Sequence, residues 1–250
     1  MRKVSREVTT ASPGEIITYS HEEADLRGIL KMPAGAPRAG VLVCHEGPGL
    51  GDHVRRRVQM LADLGYATFA LDMFGDGSPM LEGPAMMERM APWIGDRARL
   101  RERALAGYDQ LISRCPDLSE RVFAIGFCFG GTVALELARM GLPLLGVASF
   151  HGGLKAGVPT APETVRARVL SLVGTRDPLI PLADRNAFEA EMEAAGAGWQ
   201  QTVFSGAGHS FTNTNALDVP GFGYNHWADT QAWAAMQSML DACLKSKSST

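Results

Sequence analysis

The stretch Arg121-Val122-Phe123-Ala124-Ile125-Gly126-Phe127-Cys128-Phe129-Gly130-Gly131-Thr132 passes from a short apolar run into the helix-forming Ala134-Leu135-Glu136-Leu137-Ala138-Arg139. At its centre, Gly-x-Cys-x-Gly puts a cysteine on a strand-to-helix turn. A side chain there stands exposed at the carboxyl end of a sheet. As a thiolate, Cys128 would attack an acyl carbon. The backbone N–H of Phe129, at the helix start, points where an oxyanion would develop. The bland alternative is a buried cysteine in a glycine-rich turn. A phosphate loop is disfavoured, because no Lys-Ser/Thr follows the glycines and Phe127 and Phe129 make the loop apolar.

Three other apolar runs also end in loops with reactive side chains. Glu46 follows Gly40-Val41-Leu42-Val43-Cys44-His45, Asp177 follows Arg168-Val169-Leu170-Ser171-Leu172-Val173, and His209 follows Trp199-Gln200-Gln201-Thr202-Val203-Phe204-Ser205. Cys128, Asp177 and His209 thus occur in the order nucleophile, acid, base, which is the chain order of the α/β-hydrolase triad. In that arrangement His209 takes and returns the proton, and Asp177 orients it. Asp177 before Pro178 is also a turn initiator. His45 and His151 are rival bases. His45, read as the last residue of a buried strand, is equally a satisfied core histidine; His151, directly after the strand beside the elbow, is placed to line the pocket. His209 is preferred because it follows the final strand. His45, Glu46 and His53 do not form His-Glu-x-x-His, so no zinc site and no cofactor are expected.

The elements that must position these residues alternate. Glu15–Ser20 and Leu26–Met32 read as a first strand pair, followed by strands at 40–45, 66–71, 121–127, 144–150, 168–173 and 199–205. Helices are expected from Asp52, as cap, to about Leu64, then over 97–115, after the elbow, over 183–195 and over roughly 227–244. The alternation predicts an α/β fold, a mostly parallel twisted sheet with helices on both faces, in one domain spanning 1–250. Residues 73–95 are the least regular part, rich in Gly, Pro and Met. They read either as a cap over the site or as a surface connection with one short helix packed by its methionines.

The 250 residues, 46% hydrophobic and 20% charged, suffice for one large core. A net charge of -3 argues against nucleic-acid or anionic-membrane partners. No apolar run approaches a membrane span, and no apolar segment follows the basic residues at the N-terminus. The four cysteines lack metal or disulfide spacing. A cytoplasmic protein with free thiols is expected.

Taken together, His45-Glu46-Gly47 with Gly49-Leu50, Gly65-Tyr66-Ala67 through Leu71-Asp72, Gly126-Phe127-Cys128-Phe129-Gly130-Gly131, Gly174 with Asp177, and Gly208-His209-Ser210-Phe211 resemble the dienelactone hydrolase (carboxymethylenebutenolidase-like) family of α/β-hydrolases. The resemblance implies a Cys128–His209–Asp177 triad. It also implies that Glu46 contacts the resting thiol and helps make it a thiolate, and that Gly47 supplies a second oxyanion N–H opposite Phe129. The family's best-known members hold a substrate carboxylate with two arginines. The corresponding stretches here, Met73-Phe74-Gly75-Asp76-Gly77 and Ser210-Phe211-Thr212-Asn213-Thr214, carry none. Asp76 would repel an anion, although Arg55, Arg56, Arg89 or Arg176 could bring a cation from elsewhere. The expected substrate is a small neutral ester or lactone, in a pocket walled by His151, Phe127, Phe74 and Asn213. The rival functions are a thioesterase or acyltransferase, and a catalytically silent binder of small ligands.

Overall fold

Fully apolar strands need partners on both faces, and the chain supplies them. The computed structural model describes residues 14–75, 80–157, 160–161 and 163–247. Its eight strands are β1 (Glu15–His21), β2 (Ala24–Lys31), β3 (Gly40–Cys44), β4 (Ala67–Leu71), β5 (Val122–Phe127), β6 (Gly146–Phe150), β7 (Arg168–Gly174) and β8 (Trp199–Phe204). They form one sheet in the order β1-β2-β4-β3-β5-β6-β7-β8. The β1–β2 hairpin joins β4 antiparallel, and every later pairing is parallel. This is the mostly parallel sheet expected from the alternation, arranged as in the α/β-hydrolase fold that the resemblance implies.

The strand order reverses between β3 and β5. A ligand crevice opens at such a switch point, outside the carboxyl ends of the strands. Glu46 and Gly47 follow β3, and Cys128 follows β5, so the elbow and the Glu46 loop meet at that crevice.

Among the described residues, six α-helices flank the sheet: α1 (Asp52–Asp63), α2 (Gly83–Gly95), α3 (Arg97–Arg114), α4 (Phe129–Arg139), α5 (Leu182–Ala194) and α6 (His226–Lys247). The period-two alternation of β5 sorts its side chains between two cores. Val122 and Ala124 pack with Leu100 and Leu111 of α3, Val133 and Leu137 of α4, and Phe188 of α5. Phe123, Ile125 and Phe127 pack with Val54, Val58 and Leu61 of α1 and with Ala232, Trp233 and Met236 of α6. Each such fully buried large side chain contributes about 1.5–3 kcal/mol relative to exposure.

Two local expectations change. Gly51, not Asp52, is the N-cap of α1, and Asp52 lies in its first turn. Residues 83–95, within the irregular segment, form a full helix despite Pro92, with Met90 and Trp93 buried beneath it. Pro84 lies within its first turn, where the missing N–H costs nothing. Asp76, expected to repel anions, lies outside the described residues. Among the described residues, no helix is long and apolar enough to cross a membrane.

Candidate active site

The elbow is built by close backbone approach. Cys128 takes φ 52 and ψ −118, a conformation that is strained for a side chain bearing a Cβ. Glycine on either side permits it: a Cβ on Gly126 would strike the carbonyl of Gly130, and one on Gly130 would strike the carbonyl of Cys44. The second approach sets the start of α4 against the end of β3, bringing Gly47 and Phe129 to the same crevice. Among the described residues, neither of those two amides donates a hydrogen bond.

The three side chains predicted from chain order converge. Cys128 Sγ lies 3.0 Å from His209 Nε2, and His209 Nδ1 lies 2.8 Å from Asp177 Oδ2. The other Asp177 oxygen accepts the N–H of Leu179 at 2.9 Å. The turn-initiating and histidine-orienting readings of Asp177 therefore hold together. His209 is pinned through its backbone, its N–H donating to Gly221 O at 2.7 Å and its C=O accepting from Gly223 at 3.0 Å. Burial pulls the His209 imidazole toward the neutral form. The negative sulfur of Cys128 and the Asp177 carboxylate outweigh this and push it up to about 10.

The rival histidines are both engaged elsewhere. His45 lies just past β3; its Nδ1 faces Glu46 O at 2.7 Å, and its Nε2 accepts the N–H of Met73 at 3.1 Å. His151 Nδ1 accepts the N–H of Cys128 at 3.1 Å, and its Nε2 faces Thr212 Oγ1 at 2.8 Å. Burial lowers the pKa of both, that of His151 well below the ordinary value.

Glu46 is buried. Its partners are Asn213 Nδ2, 3.1 Å from Oε2, and His53 Nδ1, also 3.1 Å from Oε2 but without hydrogen-bond alignment. Among the described residues, the hydrogen bond of the thiol is to His209. Among the described residues, no hydrogen bond joins Glu46 to the thiol.

The expected pocket walls divide. Phe74 is half-buried and stacks on Phe129, with ring centroids 5.5 Å apart. Asn213 is half-buried beside Glu46. Phe127 is not a wall: it is fully buried, stacked on Phe150 and edge-on to His53. The alternation of β5 turns it to the α1–α6 side. His151 is also fully buried and supports the elbow from behind.

The contacts of two side-chain groups with the Gly47 loop were not predicted from the sequence. The sulfurs of Met86 and Met90 press on Gly47, so closely that an added Cβ there would lie 2.9 and 2.5 Å from them. Arg89 lies 4.2 Å over the Phe74 ring and donates to the carbonyls of Gly47 and Pro48 at 3.3 and 2.7 Å. Of the four arginines considered as sources of positive charge, Arg89 is the one that reaches this loop; Arg55, Arg56 and Arg176 are exposed.

A family model described as the dienelactone hydrolase family matches residues 26–244. The solved structure of a dienelactone hydrolase-like promiscuous phosphotriesterase, P91, from metagenomic libraries is 34% identical. It superposes with a TM-score of 0.85 over 92% of this chain and 98% of that one. A structure described as m3DLH is 37% identical, with a TM-score of 0.86 over 92% and 97% of the two chains. Carboxymethylenebutenolidase of Pseudomonas putida is 25% identical over 80% of this chain and 86% of its own. With the Cys128–His209–Asp177 arrangement in place at the elbow, the chain belongs to the dienelactone hydrolase family and is a carboxylic ester hydrolase of that family.

Proposed function

We propose that the protein cleaves a small neutral ester or lactone through an acyl-Cys128 intermediate. The observation that carries this reading is the line Cys128 Sγ–His209 Nε2–His209 Nδ1–Asp177 Oδ2, with steps of 3.0 and 2.8 Å across the ring. The Cys128 thiolate attacks the carbonyl carbon, and the carbonyl π pair becomes an oxyanion. The N–H groups of Gly47 and Phe129 stabilise that charge. As the C–O bond breaks, the His209 imidazolium gives its proton to the leaving alkoxide. The product is a thioester and a neutral His209. Water then attacks the thioester while His209 takes its proton. Collapse expels the thiolate and restores the ion pair, with Asp177 holding the ring throughout.

The neutral-substrate reading rests on charge placement. Glu46 contributes a buried carboxylate near the crevice. Arg89 is committed to the Gly47 and Pro48 carbonyls and so stiffens the oxyanion loop. Helix α2 acts as the cap, pressing Met86 and Met90 on Gly47 and leaving apolar Phe74 and Phe129 beside the acyl group. The likeness to P91 extends this to a second neutral class, phosphotriesters, in which the same thiolate would attack phosphorus.

The test compares kcat/KM for p-nitrophenyl acetate, a neutral phosphotriester and a carboxylate-bearing lactone across ionic strength. The neutral carboxylic ester should be preferred over the anion, with little salt dependence. A preference for the anion that weakens as salt screens it would overturn the neutral-substrate reading.

A further inference from the structure

Beneath the crevice lies a set of buried polar groups that the mechanism above does not use. Their hydrogen bonds have a fixed direction, because both ends are pure donors or acceptors. At one end, the backbone N–H of Cys128, shared with Phe150 O at 3.0 Å, donates to His151 Nδ1 at 3.1 Å. His151 therefore carries its proton on Nε2 and donates it to Thr212 Oγ1 at 2.8 Å. At the other end, Arg57 has no lone pair to offer, so its Nε–H must donate to His53 Nε2, at 3.3 Å. His53 therefore carries its proton on Nδ1, which lies 3.1 Å from Glu46 Oε2 as an electrostatic neighbour without hydrogen-bond alignment. The Thr212 hydroxyl accepts from His151 and so turns its own proton to His53 Nε2, at 3.3 Å, where it shares the one lone pair with the Arg57 Nε–H. His53, Arg57, His151 and Thr212 are all buried. Arg57 is anchored in turn by Thr212 O, Asp229 and the Phe127 and Trp233 rings.

We propose that Thr212 is a positioning residue, whose hydroxyl joins His151 and His53 into one directed strap that holds the Cys128 elbow at one end and, at the other, sets the His53 ring against the Glu46 carboxylate. The strap explains two otherwise separate facts. The strained backbone of Cys128 has a buried acceptor fixed beneath its N–H. The Glu46 carboxylate has His53 and Asn213 as its neighbours. Asn213 follows Thr212 directly, so one turn both closes the strap and supplies the second partner of Glu46. The functional part of this inference rests on Cys128 being the nucleophile; the geometric part does not.

Nitrogen-15 NMR of the imidazoles in the intact protein tests the geometry without any substrate. His53 should be the neutral Nδ1–H tautomer and His151 the neutral Nε2–H tautomer at pH 7. The opposite tautomer at either ring breaks the strap and overturns the proposal. Thr212→Val then tests function, since it keeps the shape and removes the hydroxyl. It should lower kcat about tenfold to a hundredfold with KM for the same ester nearly unchanged, the size expected when a reacting group is slightly misplaced. The rate of Cys128 alkylation by iodoacetamide should fall with it, because a slack elbow and a released carboxylate both disfavour the thiolate. Thr212→Ser should restore both. In a Thr212→Val/Glu46→Gln double variant the losses should be less than multiplicative, because the two residues act through one unit. Equal rates in Thr212→Val and Thr212→Ser, or fully multiplicative losses, would overturn the proposal. If no ester is turned over, the hydrolase reading fails, while the tautomers and alkylation rates still decide the strap.

Discussion

His209 and His151 sit side by side at the ends of two loops, their ring centroids 5.2 Å apart, and their chemistry is opposite. Both are buried, and burial alone disfavours a charged imidazole. His151 meets only a backbone N–H and a hydroxyl, and the positive neighbours His209 and Arg57 depress it further. His209 meets a carboxylate on one nitrogen and a sulfur on the other, and is pushed up to about 10. The two loops show that location in the fold does not make a histidine a base; the partners of its two nitrogens do. One histidine is built to hold a proton, the other to hold a backbone.

The sharpest way to break this contrast is to remove the partners of His209. Cys128→Ala and His209→Ala should each lower kcat by on the order of a thousandfold or more, and the double variant should be little worse than either single one. Multiplicative losses would mean that the two side chains do not act as one unit. His151 should remain neutral across the same pH range. Cys128→Ala also removes a negative neighbour, so the NMR titration of His209 must move down from about 10. An unmoved titration would show that the sulfur does not sustain the charge.

Asp177→Asn should cost about a hundredfold or more in kcat, because the amide cannot stabilise the imidazolium. The sign of its pH effect follows directly. His209 must be protonated to release the alkoxide, so activity should fall as pH rises through its folded pKa, near 10 in the native protein. Losing the carboxylate lowers that pKa, and the alkaline limb should move to lower pH. A limb that stays in place or moves up would contradict the role given to Asp177.

The smallest effect is expected at Gly47→Ala. The added methyl would meet Met90 Sδ and Met86 Sδ, the ends of flexible side chains that can yield. Stability should change by about 1 kcal/mol or less, while displacement of the oxyanion loop lowers kcat/KM by about tenfold. Adding Met90→Ala should recover part of the loss. Wild-type activity in Gly47→Ala would show that α2 does not press on the loop.

Much of this site was legible in the sequence because it rests on local backbone chemistry. The glycines around Cys128, the apolar runs and the chain order of Cys128, Asp177 and His209 are one-dimensional signals. Period two in β5 groups Phe127 with Phe123 and Ile125 on the α1–α6 side. The strap was not legible. Arg55-Arg56-Arg57 reads as a solvated run, and only the helical spacing of His53 and Arg57 beside Val54, Val58 and Leu61 hints that two of its polar groups turn inward. The partners of Glu46 depend on the turn after His209, whose residues are distant in sequence. Helix α2 was obscured by its glycines and prolines, which lie at its first residues, near its last turn and at its end.

The most direct test of the central claim is to trap the intermediate. The enzyme is quenched in acid during turnover of a neutral ester, digested after arginine and lysine, and the peptide Val122–Arg139, in which Cys128 is the sole cysteine, is weighed. An added acyl mass on that peptide, absent from Cys128→Ala and from enzyme alkylated beforehand with iodoacetamide, is the predicted result. Full esterase activity with Cys128 quantitatively alkylated would contradict it.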